Sequence, residues 1–587
     1  MKKWFIYNKK ADFKAIAAAH HIDQVTARIL RNREINSDAQ IEQYLHGSLE
    51  ELHSPLLLPD AIRCMNHLNR AIKDGRRIRI VGDYDVDGVC ATYILYTGLQ
   101  RLGAQVDYVL PDRIKDGYGI NVHIIDQAKE DGVSVILTCD NGISAIEEMK
   151  HARDLGLTVL ITDHHDVRQK DDEDYGCESR DILPPASAVV DAKREDSRYP
   201  YTHICGAVVA WKIITMLYEN HGLPKDAYLD FLEFAAIATI CDVVELQDEN
   251  RIIVKFGLQQ IRQTTNPGLR ALLEVQGLME KDHITTYHIG YVIGPCINAG
   301  GRLRSAEIAL SLFTTTDSSE AFTKAVKLKA LNDVRKEMTI DATKEAFEQV
   351  EAQYASDKVL VVYLPKLHES LAGIVAGRLR ERYYRPSFVI TDAEDAEDGT
   401  LMAKGSGRSI DAYPMSDRLA EVATLLTKFG GHPLAAGFSL PRDRIDLFRR
   451  ALNEKCTLEP AQLVDKLWID VPMPVHYVTE ELIHEFDRLE PYGKGNEKPC
   501  FAEKNLRIMD TRVLGKGRNV VRLQLLSQQG TAISGILFTD GDAFLKNKGT
   551  KSLIDVVYYP EVNEYNGFKS LQIVIEDYQL RACADRR

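Results

Sequence analysis

The chain has 587 residues, 45% hydrophobic and 27% charged, which is ordinary globular material for about three or four domains. No apolar run reaches the roughly 18 residues of a transmembrane helix, and ten scattered cysteines without a CxxC pair argue against structural zinc or a disulfide framework. The formal net charge of -13 does not advertise a nucleic-acid binder, so any polyanion has to be held by local basic patches.

The opening MKKWFIYNKK has early lysines but no apolar core behind them, so it does not read as a signal peptide, and a cytoplasmic protein is expected. Residues 1–60 carry helical periodicity without visible chemistry and are expected to form a small N-terminal element packed on the first domain. From 61 to 250 strand and helix patterns alternate, which implies a largely parallel sheet. The apolar run Ile78 to Val81 reads as a buried strand and leads into Asp83, Asp85 and Asp87, with Gly82 and Gly88 on either side. In an extended segment a period of two puts all three carboxylates on one side. Unpaired they would repel one another, so a cation is expected among them, a hard divalent ion before others. An acidic surface turn is the plainer alternative.

The pattern recurs downstream. After the second strand and its loop, QVDYVLPDRIKDGYG (105 to 119), the stretch VSVILTCDNG (133 to 142) is another apolar strand ending in a carboxylate, Asp140. A further strand, LTVLITDHHD (157 to 166), ends in Asp163, His164, His165 and Asp166. Asp242 follows FLEFAAIATIC, which reads as a buried helix. Three strands delivering Asp or His at their C-terminal ends match the rule for ligand sites in open α/β sheets. Cys90, Cys139 and Cys241, inside these elements, read as small buried apolar residues. On spacing alone Arg113 and Tyr118 are an ordinary loop cation and a half-buried aromatic.

GDYDVDG, CDNG, DHH and ICDVVEL together resemble the four motifs of the DHH phosphoesterase superfamily. Beyond them, residues 251–354 read as a helical connector. Between Asp317 and Tyr354 there is neither Gly nor Pro, and Phe322, Val326, Leu331, Val334, Met338, Ala342, Ala346 and Val350 recur at steps of mostly three to five. That predicts one long amphipathic helix over 317–354, capped by Asp317 or Ser318 and joining two lobes. Asn332, Arg335 and Lys336 on it are candidates to face nucleic acid, with a solvated helix face as the plainer account. A second α/β lobe is expected over 355–455, with the Gly-rich turns KGSGRSI and KFGGHPLAAGFSL carrying Ser406, Arg408 and His432. Such turns suit close backbone approach to phosphate. The three loops, with GGH followed by AAG, resemble the DHHA1 substrate-binding domain. From 463 to 587 short alternating strands read as a small all-β barrel. It resembles the OB-fold domain of the RecJ branch of single-strand-DNA exonucleases, with Lys516, Arg518 and Arg522 as candidates to line a groove.

The expected fold is therefore α/β, with DHH and DHHA1 lobes joined by a long helix and an all-β OB-fold domain at the C-terminal end. The resemblance implies a single-stranded-DNA-specific 5′→3′ exonuclease that releases 5′-mononucleotides by two-metal-ion phosphodiester hydrolysis in DNA recombination and repair. It implies two divalent ions, Mn2+ or Mg2+, held by Asp83, Asp85, Asp87, Asp140, His164 and Asp242, with Asp140 as the bridge. Asp85, Asp140, Asp163 and His165 are the catalytic candidates, His165 stabilising or protonating at the scissile phosphate unless it is itself a metal ligand. Arg113, Arg302 (from INAGGRLRSAE), Ser406 and Arg408 are expected on the 5′-terminal phosphate, Tyr118 on a base, and His432 on substrate. Single-stranded DNA is the expected partner, beside a helicase and a single-strand-binding protein, and two self-contained lobes suit a monomer. The departures from the family are the acidic loop 171–181, the missing Asn-Pro in VVDAKRED, and Ser370 where Gly is more usual; none is expected to touch a ligand. Two rivals remain: a DHH enzyme for short substrates such as nano-RNA or cyclic dinucleotides, and a metal-free scaffold that binds single strands.

Overall fold

The computed structural model describes residues 2–169, 180–394, 399–565 and 568–582, so most of the acidic loop 171–181 lies outside the described residues. The chain divides into two compact units. One comprises His53–Val244 and Ile253–Val464; the other comprises Met1–Leu52, Glu245–Ile252 and Asp465–Arg587.

The larger unit opens with five strands: β1 (Ile78–Val81), β2 (Val106–Val109), β3 (Val135–Cys139), β4 (Thr158–Thr162) and β5 (Ala188–Val190). They pair in parallel in the order β2-β1-β3-β4-β5. β1 and β3 are buried throughout, as near-continuous runs of Ile, Val and Leu require of strands covered on both faces. The chain leaves β1 for β2 on one side and returns to β3 on the other, so β1 and β3 flank a topological switch point. Helix α1 (Val86–Arg101) starts directly after β1 and lies beside α2 (Gly206–Asn220) and α3 (Leu232–Cys241).

The helices that follow include α4 (Gly294–Leu303) and the long α5 (Ser318–Gln349), extended by one wider turn over Val350–Tyr354. Asp317 caps α5, its carboxylate accepting the Glu320 amide at 2.7 Å. The expected length is found, but the expected stripe holds only at its C-terminal end, at Ala346 and Val350. Phe322, Val326 and Val334 are exposed, whereas Ala321, Ala325, Leu328, Asn332, Thr339, Ala346 and Val350 are buried. The buried face is mostly small, which lets α5 approach α4 and the helix Pro267–Val275 closely. Asn332 therefore does not face solvent or nucleic acid. Its amide donates to Cys296 Sγ at 3.2 Å and its oxygen accepts from Arg335 Nε at 3.0 Å.

The second lobe consists of β6 (Leu360–Tyr363), α6 (Ala372–Tyr383), β7 (Ser387–Asp392), β8 (Met402–Arg408), β9 (Lys428–His432) and β10 (Ala435–Pro441). Its sheet runs β9-β10-β8-β7-β6, with only β6 and β7 parallel. Ser406 and Arg408 stand two apart on β8, so they share a face.

The smaller unit contains a closed barrel of β11 (Phe501–Leu514), β12 (Val520–Leu526), β13 (Ala532–Phe538), β14 (Leu553–Tyr565) and β15 (Phe568–Arg581), ordered β11-β12-β13-β15-β14. β11 was not among the expected strands, because exposed polar residues interrupt its alternation and a register shift lies within it. The expectation that residues 1–60 pack on the first α/β lobe holds for 53–60, where Asp60 engages Arg194 at 2.9 Å, and is corrected for 1–52. Ile29, Leu30 and Leu45 share one hydrophobic core with Phe486, Phe501 and Tyr558 of the barrel unit. Lys3–Ile6 pairs in parallel with Lys466–Ile469. Arg251, from the inserted Glu245–Ile252, donates to the carbonyls of Tyr44, Leu489 and Arg488, each at 2.9 Å. Three carbonyls on one buried guanidinium replace its lost water and tie the three chain segments together. In the barrel, Arg518 is engaged by Asp542 at 2.6 Å, and Arg522 donates to Ser534 at 3.2 Å. No described helix is long and apolar enough to cross a membrane.

Candidate active site

The ends of β1, β3 and β4 and the C-terminal end of α3 bring eight predicted residues to one place. Three groups have ligand atoms close enough to share an ion: Asp83, Asp85 and Asp140; Asp87, His164 and Asp242; and Asp140, Asp163, His164 and His165. His164 belongs to two of them, and so does Asp140. Asp140 sits in the left-handed region at φ 61°, a conformation a non-glycine residue adopts only when its surroundings enforce it. His164 Nε2 lies 3.0 Å from Asp140 and 3.5 Å from Asp87, and its Nδ1 lies 3.8 Å from Asp242.

The carboxylates differ in how they are held. Asp163 accepts the amides of Ile143 (2.9 Å), His164 (2.7 Å) and His165 (3.3 Å), and its Oδ1 lies 2.8 Å from His165 Nδ1. That set of partners makes it an anchor for the DHH turn and for His165. Asp87 takes the amides of Gly206 and Ala207 at 2.6 and 2.7 Å, the opening of α2. Asp85 caps α1 through the amides of Asp87 and Gly88. Asp83 differs: its buried Oδ1 has no hydrogen-bond partner among the described residues.

The electrostatics follow from this crowding. Burial first, then neighbouring carboxylates, holds Asp83 and Asp140 well above the usual carboxylate range, Asp87 up at about 6 and Asp242 at about 8. Four acids that resist ionisation, three of them buried, describe a cluster short of positive charge. Burial, then the charge of His165, pushes His164 down to about 3, leaving it neutral as a metal ligand must be. Burial also opposes charge on His165, but its hydrogen bond to Asp163 and the surrounding acids outweigh that and raise it to about 9. An orphaned carboxylate oxygen, an excess of acids and a neutral imidazole fit a mixed oxygen and nitrogen site for divalent cations.

Beside this cluster lies a pocket of about 390 Å³, lined by Arg113, Arg302, Ser406 and Arg408 as expected. Arg113 stacks on Tyr84, inside the first motif, at 4.6 Å, so the pocket and the cluster share a wall. Gly301 is required here because a Cβ would meet the Tyr84 carbonyl at 2.5 Å. Likewise a Cβ on Gly373 would press on Ser406 and Arg408 at 2.9 Å. Burial, then the charge of Arg113, lowers Arg302 to about 9, and the same two causes lower Arg408. Converging guanidiniums that resist their own charge suit an anion.

Some placements differ from expectation. Ser370 was expected to touch no ligand, yet it lines the pocket and its carbonyl accepts from Arg302 at 2.7 Å. Tyr118 is 52% exposed while its hydroxyl donates to the Asp140 carbonyl at 2.9 Å and lies 3.1 Å from His165, so its polar end belongs to the acid cluster. His432 is not among the pocket's lining residues; it sits in an exposed strand, and its charge acts on Asp166. Sequence reasoning missed Lys404 and Lys428 in the pocket, although each opens a Gly-rich motif already singled out. It also missed Asn141 of CDNG, fully buried, which donates to the carbonyls of Val81 (3.0 Å) and Cys139 (2.9 Å) and so fixes the ends of β1 and β3.

Comparison with known proteins agrees. Residues 77–239 match the N-terminal domain of the DHH family, 356–458 the DHHA1 domain and 469–577 the RecJ OB domain. The single-stranded-DNA-specific exonuclease RecJ of Bacillus subtilis is 33% identical, covering 98% of this chain and 70% of its own. The protein of the same description from Escherichia coli is 31% identical over 94% and 95%. The crystal structure of RecJ in complex with Mn2+ from Thermus thermophilus superposes with a TM-score of 0.82 at 27% identity, over 99% of this chain and 80% of that one. Its Mg2+ complex gives 0.76 at 26% over 99% and 79%. Acid cluster, arginine pocket and paired lobes define a DHH phosphoesterase carrying a DHHA1 substrate domain. Within that class the chain belongs to the RecJ family.

Proposed function

We propose that this protein is a metal-dependent exonuclease that removes 5′-mononucleotides from single-stranded DNA, working from the 5′ end. The observation that carries this reading is the shared wall: an anion pocket of three arginines and a serine abuts a cation-seeking cluster of acids and histidines. A terminal phosphate in the first would leave the next phosphodiester near the second. Asp83, Asp85, Asp87, Asp140, His164 and Asp242 would hold two divalent ions, Mn2+ or Mg2+. When bound, the ions activate a water and offset charge on the phosphodiester. Arg113, Arg302, Ser406 and Arg408 grip the terminal phosphate and so set direction. His165, oriented by Asp163, donates a hydrogen bond or a proton at the scissile phosphate. Asp163 and Asn141 position these groups without touching substrate, and Tyr118 orients His165. The barrel, matched to the RecJ OB domain, extends the grip on single strands. A helicase and a single-strand-binding protein fit as partners in recombination and repair, and the chain fits work as a monomer in the cytoplasm.

The test is digestion of long single-stranded DNA labelled at its 5′ end, with manganese. Wild type should release labelled mononucleotide early, and Asp140→Ala should lose at least a hundredfold in rate. Arg408→Ala should slow cleavage of 5′-phosphorylated ends at least tenfold more than 5′-hydroxyl ends. Equal losses on both ends would sink the pocket assignment. Inert long DNA with rapid cleavage of dinucleotides would favour a short-substrate enzyme.

A further inference from the structure

Behind the first turn of α6 lies a second cavity, a groove of about 750 Å³ between α5 and α6. Gly373 of that turn faces Ser406 and Arg408, whereas the next residue, Ile374, lines the groove. Its walls carry five cations, Arg335, Lys336, Lys344, Arg378 and Arg382, against two carboxylates, Glu348 and Glu351. This surplus stands out in a chain of net charge -13. Three of the five are paired: Glu351 engages Arg382 at 2.6 Å, Glu381 engages Arg378 at 3.1 Å and Asp333 lies 3.9 Å from Lys336. Arg335 and Lys344 have no carboxylate partner among the described residues; Arg335 gives its Nε to the Asn332 amide oxygen. Burial, and then the facing Arg378, works against the charge on Arg335. The Thr343 hydroxyl, also in the wall, is buried without a hydrogen-bond partner. Apolar surface is present too: Ile340 is 66% exposed, and Tyr291, 71% exposed, stacks on Tyr287 at 5.2 Å.

We propose that this groove binds a nucleoside 5′-monophosphate, as a second site beside the terminal-phosphate pocket. Two unpaired cations suit a phosphate, and an exposed, flat aromatic surface suits a base. A cavity of this size lies in the range of about 300–1,000 Å³ that holds one small ligand. The inference rests on the reading above, in which the reaction yields that class of product. The charge of Arg335 acts on Arg302 of the pocket, so the groove lies within electrostatic reach of it. A released dianion held there would vacate the pocket for the next terminal phosphate.

Calorimetric titration of the full chain with dTMP, and with thymidine as the phosphate-free control, tests this. Wild type should bind dTMP at two sites and thymidine at least tenfold more weakly at both. Arg408→Ala should abolish one site, and the pair Lys344→Glu with Arg378→Glu should weaken the other at least fivefold while keeping the first. The milder pair Lys344→Gln with Arg378→Gln, checked by thermal melting, guards against a folding defect and should weaken the same site. A single dTMP site removed by Arg408→Ala and untouched by either groove pair would overturn the groove and leave the pocket standing. A single site removed by the groove pairs alone would support the groove and refute the pocket.

Discussion

At the scale of single residues, burial sets chemistry more firmly than residue type. Asp163 and Asp83 are both buried acids at strand ends, yet one accepts several hydrogen bonds and the other leaves an oxygen bare. The first is an anchor, and the second keeps a bare acceptor. Glu233, inside α3 and away from the site, shows the cost of burial without a counter-charge. It accepts from Thr264 at 2.7 Å, its other oxygen has no hydrogen-bond partner, and burial raises it to about 8. Because its folded value lies above its unfolded one, the stability it contributes is complete below about pH 4.3 and is lost as pH rises through about 8. Glu233→Gln should remove that dependence. Between pH 6 and 9 wild type should lose on the order of 1–3 kcal/mol relative to the variant, read from urea unfolding at each pH. Parallel curves would show that Glu233 is not held protonated.

At the scale of elements, α5 shows where periodicity misleads. Large apolar side chains at helical spacing mark Phe322, Val326 and Val334 as a buried stripe, but these are exposed and the alanines beside them are not. Helix packing selects for close approach as much as for hydrophobicity, and small residues supply it. Ala325→Leu should therefore destabilise by about 1–3 kcal/mol through overpacking, whereas Val326→Ala should stay within about 0.5 kcal/mol. Denaturant midpoints decide between the two registers. By contrast, β1, β3 and β4 were legible, because strands covered on both faces must be apolar along their whole length. β11 was not, since a strand with polar, exposed positions and a shifted register carries no clean alternation.

At the scale of the whole molecule, chain order and spatial order part company. Met1–Leu52 is furthest in sequence from the barrel and yet completes its core. Deleting residues 2–52 should expose Phe486, Phe501 and their neighbours. We expect rapid proteolysis within 465–587, with His53–Val464 persisting as a resistant fragment, followed by limited digestion and mass spectrometry. Equal resistance of the barrel with and without residues 2–52 would refute the shared core.

The sequence by itself determined the class of chemistry and the lobes that carry it. Acids and histidines at the ends of buried strands, and glycines ahead of Ser406 and Arg408, follow from local rules of strand, turn and charge. Only the tertiary structure decided which acids are anchored and which are bare, that Ser370 and Lys428 enter the pocket, that Asn332 turns inward, and where the N-terminal segment belongs. Those outcomes depend on distances between residues far apart in the chain, set by packing, and no local pattern encodes them.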